Sequence, residues 1–111
     1  MITSVIPAVL QPGATLTASS VAYITGVANA QTIIKQVVFT NVTASPVTIT
    51  VTRTPSGGSA LTIIDVQSIA ADATYLAPEL SNMVLSGGDT ISALASAASA
   101  VNCFASGFVA S

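Results

Sequence analysis

The sequence predicts an all-β fold: a single-domain β-sandwich or jelly-roll-like barrel of about eight short antiparallel strands, preceded by an extended N-terminal arm. Three observations predict it. Thr, Val and Ile are abundant from residue 15 onward, and β-branched side chains suit a pleated, half-buried surface. Apolar and polar residues alternate in short runs. Clusters of Gly, Pro, Asn, Asp and Ser return at short intervals, as turns between strands require. A length of 111 residues suits one domain with one modest core.

Residues 1–13 read as the arm and residues 14–111 as the sandwich domain. Pro7, Pro12 and Gly13 interrupt regular structure in the arm. Its apolar residues Ile2, Val5, Ile6, Val9 and Leu10 are the candidate partner-binding residues. An early strand is expected near residues 21–25, around Tyr23 and Ile24. Residues 33–40 form a strand with Ile34, Gln36, Val38 and Thr40 on one side and Ile33, Lys35, Val37 and Phe39 on the other. In residues 47–52, Val47, Ile49 and Val51 share one face and the threonines the other. The segment 41–46 between these strands has turn chemistry, which predicts a hairpin.

Residues 55–59, with Gly57-Gly58, form a loop. The strand 60–69 divides into Leu61, Ile63, Asp65 and Gln67 on one side and Thr62, Ile64, Val66 and Ser68 on the other. Residues 70–73 turn into a short strand at 74–77, which Pro78 ends. A short strand at 83–85 precedes a tight turn at 86–89, and 90–96 with 101–109 read as a closing hairpin across 97–100. Alanine is a good helix former, so 91–100 invites a helical reading. That helix would follow a Gly-Gly-Asp turn and hold one large apolar residue after Ile91, leaving almost no stripe to bury, so strand is favoured.

Charged residues make up 5% of the chain, against roughly a quarter in an average soluble domain. Two cations, Lys35 and Arg53, are too few to neutralise a run of phosphates, which argues against direct nucleic-acid binding and against attraction to anionic membranes. A spanning helix needs about 20 continuous apolar residues, and Thr, Ser, Asn or Gly break every rich stretch. The first ten residues lack a basic n-region and contain Pro7, a poor match to an export signal. The single Cys103 makes no internal disulfide and reads as a small buried hydrophobe.

Catalytic chemistry finds little to use. Histidine is absent, so self-contained Ser-His-Asp or Cys-His sites and the usual Cys/His zinc sites are excluded. Asp65, Asp72, Glu79 and Asp89 stand seven, seven and ten positions apart, with no close pair. Gly57-Gly58 and Gly87-Gly88 lack the following Lys of a phosphate loop and are read as turns. Asp89 is read as a turn residue, with a calcium site as the minor alternative. Asn41-Val42-Thr43 matches a glycosylation acceptor that has meaning only in an exported chain. The five aromatics, Tyr23, Phe39, Tyr75, Phe104 and Phe108, are assigned to the core. The expectation is a non-enzymatic protein without metal or cofactor.

The stretch 34–51, IKQVVFTNVTASPVTITV, resembles small phage-encoded all-β virion accessory proteins, in which a strand and an Asn/Thr-rich turn lead to an alternating Val/Thr strand. The stretch 85–109, LSGGDTISALASAASAVNCFASGFV, is similar to the ending of the same group. The resemblance implies a structural protein of a bacteriophage virion, such as a capsid decoration (cement) protein or a tail, fibre or neck accessory, located in the particle. Its implied partners are major capsid or tail proteins and further copies of itself. The alternative is a host-receptor or carbohydrate-binding adhesion module displayed on the virion, which predicts exposed aromatic and polar side chains around 56–59. A bacterial surface or pilus-like subunit is a third reading, disfavoured by the poor export signal.

Overall fold

The computed structural model describes residues 4–110. Among them, nine strands run in chain order: β1 (Val5–Thr15), β2 (Val21–Thr25), β3 (Gln31–Asn41), β4 (Val47–Thr54), β5 (Leu61–Ile69), β6 (Thr74–Tyr75), β7 (Val84–Ser86), β8 (Thr90–Ala95) and β9 (Val101–Ala110). A single 3-10 turn, Pro78–Leu80, lies between β6 and β7. The expected all-β class holds, and of the Ala-rich segment, Thr90–Ala95 is strand, with no helix in 96–100.

The strands form two antiparallel sheets. Sheet A has the order β1-β9-β3-β6, with β7 also on β3; sheet B has the order β2-β8-β4-β5. β6 pairs with β3 at Phe39 and Thr40, and β7 pairs with it at Gln31, Thr32 and Ile33. Together they act as one interrupted strand. The pairs are nested, with β4·β5 innermost, then β3·β6/β7, β2·β8 and β1·β9. They fall alternately in sheets B, A, B and A. This is a long hairpin ribbon wound into two packed sheets, the jelly-roll solution to a double-layered β fold.

That winding overturns both expected local hairpins. β3 and β4 lie in different sheets, and so do β8 and β9. Segments 41–46 and 97–100 are crossovers between layers, and they meet where Val42 N–H donates to the Ala100 carbonyl at 2.9 Å. Among the described residues, β4 and β5 are the one pair of consecutive strands that are bonded neighbours. Asn41, fully buried, holds the first crossover. Its Nδ2 reaches the carbonyls of Ser45 (2.9 Å), Ile69 (3.1 Å) and Ala70 (3.2 Å), while its Oδ1 accepts from Thr43 N–H (2.9 Å) and Oγ1 (2.7 Å). Turn-type residues thus serve an arch rather than a hairpin.

The N-terminal segment is also corrected. Val5–Thr15 is extended but paired along β9, so the expected boundary at 13/14 runs through β1. Pro7 and Pro12 are tolerated because β1 is an edge strand, bonded on one side only. The register shifts between Val9 and Gln11 and between Gln11 and Ala14. Gly13 lets β1 approach Phe104: a Cβ at Gly13 would stand 3.1 Å from its ring.

The core lies between the sheets. Val47, Ile49 and Val51 are buried as the alternation predicts, each contributing roughly 1.5–3 kcal/mol of burial. Alternation fails in β3, where Ile34 is buried but so are Val37 and Phe39. A bulge between Ile34 and Gln36 shifts the phase, so neither expected set is wholly inside. In β5 the buried residues are Ile64 and Ile69. Val66 between them has φ 52°, and the register against β4 shifts across it, between Ile64 and Gln67, and again between Thr62 and Ile64.

Candidate interaction surface

Strand alternation gives each sheet an inner and an outer face. On β9 the inner positions Val101, Cys103 and Ala105 are buried, so Asn102, Phe104, Ser106 and Phe108 point outward. On β3, the same logic turns Ile33 outward before the bulge and Val38 outward after it. Register then aligns these residues into rows. Pro7, Phe108, Ile33 and Val84 lie side by side across β1, β9, β3 and β7. Val9 stands beside Ser106, and Phe104 lies between Val38 and the Pro12-Gly13 bend. Val9 is 71% exposed and Phe104 46%.

The outer face of sheet B is different. Thr62, Thr52, Ser92 and Ala22 form one row across β5, β4, β8 and β2. Thr54 pairs with Thr90 and Thr48 with Ser68. Hydroxyls line most of that face, with Leu94 opposite Thr50 as an apolar exception, as expected for the open side of an antiparallel layer. The outer face of sheet A carries apolar rows at Phe108 and at Phe104, with Ser106 and Gln36 between them and a polar row of Thr15, Asn102, Thr40 and Thr74 at one end, and three shallow depressions mark it. One is floored by Pro7, Val9, Lys35 and Phe108, and two flank Phe104. Apolar rows of this kind on an exposed sheet are a docking feature.

Charge is almost excluded from it. Lys35 lies beside the depression at Pro7 and Phe108, its Nζ 3.4 Å from Asn82 Oδ1. Arg53 is engaged elsewhere, with Nη2 3.1 Å from Asp89 Oδ2. Asp89 also accepts from Ser56 N–H (2.8 Å) and Ser86 N–H (3.0 Å). The hydrogen bonds from Ser56 and Ser86, then the Arg53 guanidinium, outweigh burial and hold its carboxyl below the usual range. Asp89 is therefore a loop tie between β4, the 55–60 loop and the β7–β8 turn. Burial first, and the facing Glu79 carboxylate second, push the Tyr75 phenol up to about 12. Tyr75 O–H donates to Glu79 Oε1 at 2.6 Å, with Oε2 at 2.7 Å.

Among the described residues no three His, Cys, Asp or Glu side chains gather as metal ligands, and no helix is long and apolar enough to cross a membrane. Cys103 is buried, and desolvation pushes its thiol up to about 12, the behaviour of a small hydrophobe. The Asn41 side chain of the glycosylation pattern is consumed inside the fold.

Of the five expected contact residues, Val5, Ile6 and Val9 are exposed on β1, while Leu10 packs against the core. Ile2 lies outside the described residues. The sequence reading missed Phe104, which it assigned to the core, and with it Phe108, Ile33, Val38 and Val84. Strict alternation of small residues at Val101, Cys103 and Ala105 was the signal that would have turned Phe104 outward. Comparison of the chain with protein families, with curated proteins and with solved structures gives no match.

Proposed function

We propose that this chain is a structural protein of a bacteriophage virion, a capsid decoration or tail accessory subunit that stabilises the particle by protein–protein packing. The observation that carries the reading is the difference between the two outer faces: mostly threonine and serine on sheet B, and on sheet A the exposed aromatic and aliphatic rows at Phe104 and Phe108, bounded by one polar row at Asn102. Burying such a face contributes about 25 cal/mol per Å² of apolar area. A protein with 5% charged residues gains little else with which to choose a partner. Jelly rolls recur in capsid subunits, but also in lectins and cupins, so the fold agrees with the reading without carrying it. The adhesion alternative draws less support, since the loop at 55–59 holds no aromatic side chain.

The test is made on particles purified by density gradient from cells producing the phage. Stoichiometric, multi-copy presence of the chain in the particle band is expected, with loss of particle stability when its gene is deleted. Absence of the chain from particles sinks the proposal.

A further inference from the structure

We infer that copies of this chain associate head to tail, the outer face of sheet A in one copy receiving the β5–β6 flank of the next. This rests on the reading of that face as a packing surface and names its occupant. The chain has six charged side chains. Arg53 and Asp89 neutralise each other. Of the remaining four, the one cation, Lys35, sits on the apolar face. Two of the three anions, Asp65 and Asp72, lie on the β5 side of the sandwich, while the turn that holds Glu79 packs on β3, the strand of Lys35. Asp65 is on β5, Asp72 is in the turn from β5 to β6, and Glu79 is in the 3-10 turn after β6. β5 is the edge of sheet B and β6 the edge of sheet A, on the side of the sandwich away from β1 and β2. The same flank exposes Leu61, Val66 and Leu76. One molecule thus carries apolar rows with a positive charge on sheet A and, on the β5 flank, exposed apolar side chains with the two negative charges of Asp65 and Asp72.

Two other self-contacts are less favourable. A two-fold contact of sheet A against itself would bring Lys35 toward its own mate in a desolvated interface. Strand addition at β5 meets the register shifts and the left-handed Val66, devices that blunt an edge. A heterologous contact pairs opposite charges and buries both apolar patches, and it propagates into a ring or a row. Three strands about 14 Å across and about 33 Å long give roughly 450 Å² per surface, or about 900 Å² in total. That is below the about 1,200 Å² of a stable pair, so the association is weak in dilute solution and strengthens when copies are crowded on a scaffold.

Sedimentation velocity over a range from about 10 µM to about 1 mM tests it, a window chosen for weak pairs. The wild-type chain is expected to shift progressively to higher mass. Lys35→Glu and Asp65→Lys should each lower the association constant about tenfold or more, and an equimolar mixture of the two should regain it, because each supplies the charge the other lost. Circular dichroism checks folding, and Lys35→Gln substitutes if Lys35→Glu does not fold. A wild-type chain monomeric throughout overturns the inference, as does stronger association of Lys35→Glu, which marks a two-fold contact, or indifference to Asp65→Lys. None of these results bears on whether the chain is present in particles.

Discussion

Arg53 and Asp89 meet across the end of the sandwich, guanidinium nitrogen to carboxylate oxygen at 3.1 Å, and Asp89 at the same time accepts the N–H groups of Ser56 and Ser86. The arrangement makes stability depend on pH with a definite sign. The folded carboxyl titrates below an unfolded Asp, whose ordinary value is about 3.9. Above that value the stabilisation is fully present. As pH falls below about 4 the unfolded chain takes up the proton first, and stability is lost down to the folded value. Thermal melts from pH 7 to about pH 2.5 should fall steeply in the wild type and more gently in Asp89→Asn, which starts several degrees lower. Parallel curves would show that Asp89 is not the group responsible.

Asn41 is the buried counterpart at the other end. Asn41→Ala strands Thr43 N–H and removes the amide that gathers three carbonyls from two segments. A loss of about 2–3 kcal/mol is expected in urea unfolding, within the range for unsatisfied buried groups. A loss below about 0.5 kcal/mol, ordinary for surface positions, would mean the crossover does not need it.

Gly107 occupies a position where a Cβ would fall on the Ile33 carbonyl oxygen. Backbone cannot yield as a flexible side chain would, so Gly107→Ala should destabilise by about 1–3 kcal/mol, as overpacking does. Gly58→Ala, where the nearest atoms are at ordinary contact distance, is the control. Equal melting temperatures for the two variants would refute the close approach of β3 and β9 at this point.

Cys103 should be silent to a thiol reagent at pH 8 in the folded chain and react at once in denaturant. Burial both shields the sulfur and suppresses the thiolate that reacts. Rapid labelling without denaturant would place β9 in a more open setting than the packed sheet.

The class of fold was legible because it depends on local pattern. Val47, Ile49 and Val51 alternate and are buried together. The winding was not legible, because a turn-rich segment such as 41–46 reads the same whether it joins neighbours in one sheet or crosses between two. What decides is pairing at long range, such as β1 with β9. Bulges hid the faces of β3 and β5, since one extra residue reverses the alternation beyond it. The candidate surface was half legible. Val5, Ile6 and Val9 stood out as an apolar N-terminal segment, but its apolar neighbours Phe104 and Phe108 come from the far end of the sequence and join it only through register.

That surface yields the sharpest contrast in the molecule. Val9 on sheet A and Thr52 on sheet B both lie on outward-facing rows, so a charge at either should change folding stability by no more than about 0.5 kcal/mol. Their effects on packing should diverge. Val9→Glu places a carboxylate within the apolar rows, where docking would strip its water, and is expected to abolish binding to particles that lack the wild-type chain. Thr52→Glu adds the same charge between the hydroxyls of Thr62 and Ser92 and should bind as the wild type does. Co-sedimentation of each purified variant with such particles reads the difference. If the two variants bind alike, the apolar face of sheet A is not where the partner sits.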